Sequence, residues 1–312
     1  MKAQSDIYQR VTDRIITALE AGTAPWVKPW TGKGLAGEII PCNAPTGRSY
    51  SGINVLLLWV AAEERGFSRQ RWLTLKQVHA AGGRVIEEEI RRSTEICLYR
   101  PLIKPELDMD GKEVMDEEGK PKERVVPLFR GFRVFNVQQC EGLPEQLVGS
   151  RIEATPQWAA HAAADQVIKV SGVPIEHVLG DDAYYSPVLD KVRLPLQSQF
   201  DDAERYYSTA LHELTHATGH QSRLARDGIV AFEGFGSESY AHEELVAELG
   251  AAFLCAQLGI EGRLQDHNAS YIASWLKALQ SDKRAIFRAT GKARNAAEYL
   301  LARVEHYSQQ AA

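Results

Sequence analysis

The chain has 312 residues, 44% of them hydrophobic and 25% charged, with a net charge of −5. That length suggests about two domains, with enough apolar content to fill their cores. No apolar run reaches membrane-spanning length, and the first residues read as the start of a polar amphipathic helix, not a signal peptide. Cys42, Cys97, Cys140 and Cys255 are too scattered for a disulfide framework or a cysteine-held zinc. The expectation is a cytoplasmic protein with reduced cysteines and no membrane contact.

Residues 1–100 carry 14 Lys and Arg against 10 Asp and Glu, whereas residues 151–312 carry 15 against 21. The imbalance points the first part toward a polyanion and leaves chemistry to the second. A helix over residues 5–21 ends near Gly22. Trp26, Lys28, Trp30 and Lys33 then interleave, and Arg69, Arg71, Trp72 and Lys76 do so again. Cationic side chains beside aromatic platforms can hold single-stranded nucleic acid without reading its sequence. Between them a turn-rich loop over residues 43–54 offers Arg48, Tyr50 and Asn54. The alternative makes Trp26, Trp59 and Trp72 core residues and the arginines a solvated face, and composition alone favours it.

Helices are expected over residues 53–64 and 74–81, the latter closed by Gly82 and Gly83, and strands over 94–99 and 131–136. Residues 104–124 form an acidic insertion with Asp110-Gly111 and Glu118-Gly119 turn signals, read as an exposed hairpin or a mobile segment. Its carboxylates mimic a calcium loop, but Glu106 in the first position, Glu113 in the eighth, and Pro101 and Pro105 upstream exclude that reading. Residues 138–154 read as a connection, dividing the chain into parts over 1–145 and 146–312. Thr155-Pro156 then starts a helix.

In the second part residues 190–195 alternate with strand period and stop at Pro195, which suggests an edge strand able to hold an extended substrate. Tyr184 and Tyr185 beside it are candidate contacts to a substrate or a developing oxyanion, although an ordinary core or surface role is the stronger reading. His212-Glu213-Leu214-Thr215-His216 is H-E-x-x-H within a helix-like stretch over residues 206–220. Two histidines four apart share one helix face and can bind one Zn²⁺, while Glu213 can serve as general base. A third ligand is required, and residues 239–258 supply Glu243, Glu244 and Glu248 on a largely apolar helix. Glu244 is taken as the ligand and Glu248 as the group that orients a liganding histidine. His220 follows the expected helix stop at Gly219 and is read as an outer support or cap.

Glu244-Leu245-Val246-Ala247-Glu248 after H-E-x-x-H resembles the gluzincin branch of zinc peptidases, with Glu in the last place of its second motif. The whole chain resembles the ArdC-type antirestriction proteins and the N-terminal part of TraC-type plasmid primases. That resemblance rests on residues 45–54, 72–77, 134–144, 211–220 and 240–248. It implies an α+β fold of two domains: an N-terminal α+β domain that binds single-stranded DNA, and a C-terminal, mainly helical zincin-like metallopeptidase domain with a small sheet. It also implies protection of conjugatively transferred DNA from host restriction. The run Arg84-Val85-Ile86-Glu87-Glu88-Glu89 departs from the basic turn of many relatives, with Arg91, Arg92 and Arg100 as potential replacements. Alternatives are a cytoplasmic zinc protease acting on a host protein, or a primase-associated transfer protein, the latter disfavoured because the chain ends at Ala312. Manganese, cobalt or nickel could take the place of zinc.

Overall fold

The computed structural model describes residues 6–21, 24, 26, 39–99, 102–108, 112–116, 118–126, 129–149, 157–231, 238–260 and 268–311. Helix α1 (Ile7–Glu20) starts where Asp6 accepts a hydrogen bond from the Tyr8 amide, and it buries Ile7, Val11, Ile15 and Leu19 in an i, i+4 stripe. Strand β1 (Cys42–Asn43) leads to α2 (Ile53–Arg65), which Gly66 ends in the left-handed region at φ +65°. After β2 (Arg71–Leu73), Thr74 and Gln77 cap each other reciprocally to start α3 (Leu75–Ala80). There follow β3 (Arg84–Val85), a tight turn over Glu87–Arg92, β4 (Thr94–Tyr99), β5 (Leu102–Pro105), β6 (Glu123–Val126), β7 (Phe129–Asn136), β8 (Cys140–Glu141) and the short α4 (Glu145–Val148).

The main sheet has the order β1-β2-β7-β4, with β1 and β2 parallel and the other pairs antiparallel. Asn54 fastens α2 to this sheet: its side chain donates to the Cys97 carbonyl and accepts from the Cys97 amide, both at 2.7 Å. The acidic insertion is a hairpin. Strands β5 and β6 pair from Leu102–Val126 to Pro105–Glu123, and bridges at Leu107–Glu113 and Met115–Pro121 extend it.

The second part contains α5 (Gln157–Val170), β9 (Ile175–Val178), β10 (Tyr184–Ser186), β11 (Lys191–Pro195), α6 (Ala203–Ala217), α7 (Asp227–Val230), α8 (Glu238–Leu258), α9 (Asn268–Ser281) and α10 (Ala285–Ala311). Its sheet corrects one expectation. Strand β11 is central, parallel to β9 and antiparallel to β10, so the edge strand on this side is β10. Pro195 stands at the last paired position, opposite Val178, where its missing N–H ends the ladder without interrupting it.

The architecture is thus an α+β N-terminal part and a mainly helical C-terminal part with a small sheet. One apolar core nevertheless runs through both. Trp26 packs edge-on against Trp275 at 5.6 Å between ring centroids, Tyr8 against Phe287 at 4.8 Å, and Trp59 lies 6.0 Å from Phe253. Trp72 belongs to a separate cluster with Leu58, Ala61, Ile96 and Val134. Cys97 and Cys255 are buried free thiols, and burial pushes both up to about 12.

Candidate metal centre

Helix α6 begins where Asp202 accepts a hydrogen bond from the Arg205 amide at 2.8 Å, and Thr218 caps its end just before Gly219. His212, Glu213 and His216 are all buried on it. Helix α8 crosses this helix closely because Gly250 has no side chain: a Cβ there would lie 2.5 Å from Thr215 Cγ2. Thr215 keeps its own hydroxyl satisfied by donating to the Leu211 carbonyl at 2.8 Å. The crossing sets Glu243, Glu244 and Glu248 of α8 against the two imidazoles.

His212 Nε2 and His216 Nε2 lie 3.2 Å apart. Glu244 faces both, with Oε2 3.5 Å from His212 Nε2 and Oε1 3.4 Å from His216 Nε2. One donor atom from each of the three residues falls within 4.8 Å of the others. Behind them, His212 Nδ1 stands 3.4 Å from Glu248 Oε1 and His216 Nδ1 stands 3.5 Å from Glu243 Oε1. Each Nδ1 thus faces a carboxylate at ion-pair distance, just outside hydrogen-bond geometry, while both Nε2 atoms face Glu244. Three electron-pair donors meeting at a buried point need a cation or a proton between them. Two imidazoles and one carboxylate suit a catalytic zinc or another first-row divalent ion.

The electrostatics follow from that crowding. Burial alone would raise the Glu244 pKa, but the two imidazoles hold it far below the usual carboxylate range. Burial alone would lower the histidines, but the surrounding carboxylates raise both, His212 well above its ordinary value and His216 to about 9. For Glu213, burial raises the pKa, while the two neighbouring imidazoles, His212 first, oppose the rise.

In the metal-free protein the proton on His216 therefore stabilises the fold below the unfolded value of 6.5, and that contribution is lost as pH rises through about 9. A metal must displace this proton and the one on His212, so its affinity is expected to rise with pH from neutrality through about 9. Calorimetric titration in buffers of different ionisation heat checks this through proton release at neutral pH. A pH-independent affinity would contradict it.

Strand β10, at an edge of the small sheet, packs against α6, so a sheet edge runs beside the helix that carries the candidate base. The Tyr185 hydroxyl is committed elsewhere: it donates to Asp190 at 2.8 Å and accepts from Arg223. Arg223 also pairs with Asp190, which it locks at the positive φ of 46°. Tyr184 is 39% exposed, and its hydroxyl accepts from Arg193 at 3.4 Å. His220 bonds Ser222 Oγ at 2.8 Å in the turn after α6 and has no hydrogen bond or ion pair to the three candidate ligands. Among residues that sequence reasoning passed over, Arg226 stands out. It is buried, and its Nε lies 3.0 and 3.1 Å from the two carboxylate oxygens of Glu243.

The candidate DNA contacts divide by burial. Trp26 and Trp72 are 1% and 0% exposed, so neither ring face is open to a base; apolar packing won over the stacking platform the sequence suggested. Asn54 serves as the fastener already described, Tyr50 is half-buried, and Arg71 donates to the Gln146 carbonyl at 3.3 Å. Arg48 and Lys76 are exposed. They sit on a turn and a helix held together by paired Asn43–Gln77 hydrogen bonds of 3.2 Å. Lys28 and Trp30 lie outside the described residues, as do Lys33 and Arg100. In the glutamate-rich run, Glu89 is drawn inward onto Arg65 and Gln139.

Comparison with known proteins agrees with this division. The profile described as the N-terminal domain of anti-restriction factor ArdC matches residues 5–135, and that of a zincin-like metallopeptidase matches residues 162–292. A DNA primase TraC of Escherichia coli is 40% identical over 96% of this chain, which spans only 27% of that protein. A second TraC primase is 39% identical, and the chain spans 20% of its length. Protein y4eC of Sinorhizobium fredii is 37% identical, with 95% of this chain and 92% of that protein covered. The metal-free crystal structure of antirestriction protein ArdC from plasmid R388 is 36% identical, with a TM-score of 0.76 over 97% of this chain and 99% of that one. Its Mn(II)-bound form aligns with a TM-score of 0.74 at 36% identity, over 97% of this chain and 100% of the other. By its sequence, its paired domains and its fold, the chain belongs to the ArdC family of antirestriction proteins.

Proposed function

We propose that the protein acts in the cytoplasm, binds single-stranded DNA and shields incoming DNA from host restriction. In the same reading His212, His216 and Glu244 hold a divalent metal, zinc in the first instance, in a peptidase-competent centre. The observation that carries the reading is the buried meeting of these three side chains beside Glu213, in a chain of this family.

A divalent ion bound there supplies Lewis acidity toward a carbonyl and a water. The chain's own residues do the rest. Glu213, buried and raised in pKa, is matched to accept a proton near neutral pH and return it to a leaving amine. An extended peptide paired with the edge of β10 would run past Glu213, which makes a protein segment the chemically apt substrate.

For DNA, exposed Arg48 and Lys76 supply cationic contacts, and Phe132 on β7 supplies a ring 42% exposed. Phe132 faces the same side of the sheet as exposed Arg130, two residues before it. Phe132→Ala is expected to weaken single-strand binding by about 1–3 kcal/mol, the worth of one stacked base. Fluorescence anisotropy of labelled single-stranded and duplex oligonucleotides against the full chain, across a salt series, tests the reading. Preference for the single strand, weakening with salt as counterions are released and weakened further in Phe132→Ala, is expected. Equal or absent binding of both DNA forms would overturn it.

A further inference from the structure

We propose that Arg226 and Glu243 form a buried positioning pair that fixes the ring orientation and tautomer of His216. The inference rests on the metal centre proposed above and assigns it a support that the gluzincin-like motif does not name.

Glu243 immediately precedes the candidate ligand Glu244, and its carboxylate meets His216 Nδ1 on one side and the Arg226 guanidinium on the other. The two side chains are 4% and 3% exposed. Arg226 spends its remaining donors on α6 itself: Nη1 donates to Thr218 Oγ1 at 2.6 Å and Nη2 to the Thr215 carbonyl at 2.7 Å. One guanidinium thus ties the end of the histidine helix to the carboxylate that faces its second histidine.

The local backbone makes room for this pair. A Cβ at Gly219 would lie 2.9 Å from Arg226 Nη2, and a Cβ at Gly228 would lie 2.9 Å from Glu243 Cβ. Ala225, just before the arginine, holds φ at +45°, a conformation disfavoured for a residue with a side chain. A glycine at each close approach and a strained residue beside them describe a turn shaped around the guanidinium. Held by Arg226, the Glu243 carboxylate keeps an oxygen facing His216 Nδ1, so Nε2 is the ring atom turned toward Glu244. Glu248 gives His212 the corresponding partner. The two imidazoles are therefore each backed by a carboxylate, and among the described residues only Glu243 carries its own buried counter-charge.

The test is Mn²⁺ and Zn²⁺ affinity of the full chain, measured by calorimetry, with two-bond ¹H–¹⁵N histidine spectra of the metal-free protein at alkaline pH, where no metal dictates which ring nitrogen carries the proton. Glu243→Gln keeps the shape but offers one acceptor oxygen to two donors. Arg226→Met/Glu243→Met replaces the ion pair by apolar groups, a change that buried pairs often tolerate, and leaves Nδ1 without an acceptor. Both variants are expected to lose about 10–100-fold in metal affinity and to show a mixed His216 tautomer, while His212 is unchanged. Wild-type affinity and a single tautomer in the variants would show a pair that only holds the fold together, and would overturn the proposal. A wild-type chain that takes up neither metal would overturn the metal centre itself.

Discussion

Glu213→Ala is expected to leave metal and single-strand DNA binding intact while removing peptide hydrolysis. The carboxylate is buried beside the donors but is not one of the three, so its loss does not empty the site. A positioned general base contributes about 10²–10⁴-fold to such a reaction, and the variant's rate should fall by that factor. Two readouts are needed, cleavage of a protein or peptide substrate and calorimetric metal binding. Loss of cleavage with metal retained supports the catalytic role. Unchanged cleavage would exclude Glu213 as the base, no cleavage even by the wild-type chain would leave the centre a structural element, and loss of the metal would assign Glu213 to the ligand set.

The second large effect is on stability. Arg226→Ala alone should strand Glu243, which is 3% exposed, as a buried carboxylate without its guanidinium. Removing one partner of such a pair costs about 3–5 kcal/mol, a large share of the roughly 5–15 kcal/mol that holds a typical domain folded. Burial alone would raise the Glu243 pKa, and it is His216 and Arg226 that keep it below the usual carboxylate range. The variant should therefore recover part of its stability at acid pH, where Glu243 can protonate. Chemical denaturation of the metal-free protein at neutral and at acid pH measures both. A loss below 1 kcal/mol at neutral pH, far under the buried-pair cost, would mean that the guanidinium is replaced by solvent.

The centre was legible in the sequence because its information is local. Spacing of four on a helix places His212 beside His216 and Glu244 beside Glu248, and helix geometry needs nothing else to put each pair on one face. The capping residues were equally readable: Thr74 with Gln77, and Gly66 after α2, act through neighbours in the chain. What escaped depends on contacts across the chain. Arg226 reaches Glu243 across 17 positions, and only the close crossing of α6 and α8 brings them together. A signal was nevertheless present: an apolar helix carrying three glutamates demands cations, and Arg223 and Arg226 are the basic residues on the connection before it.

The aromatic residues show the opposite error. Trp26 and Trp72 alternate with cations along the chain, a pattern that fits a stacking groove as well as it fits rings turned inward with charges turned outward. The competition is settled by burial, worth about 1.5–3 kcal/mol for a large apolar side chain, which no local spacing reveals. Strand order fails to show in sequence for a similar reason. Pro195 marks the end of β11 correctly, but the strands on either side of β11 are β9 and β10, and the chain passes through β10 between the two parallel strands, an order that no local spacing encodes.

The most direct test of the account is anomalous diffraction from crystals of the full chain grown with Zn²⁺ or Mn²⁺. The account predicts one strong peak bounded by His212 Nε2, His216 Nε2 and Glu244, with nitrogen distances of about 2.0–2.1 Å for zinc. Glu248 and Glu243 should remain behind the imidazoles. A crystal with no peak there, or with the ion held by Glu243 or Glu248 in place of Glu244, would contradict it.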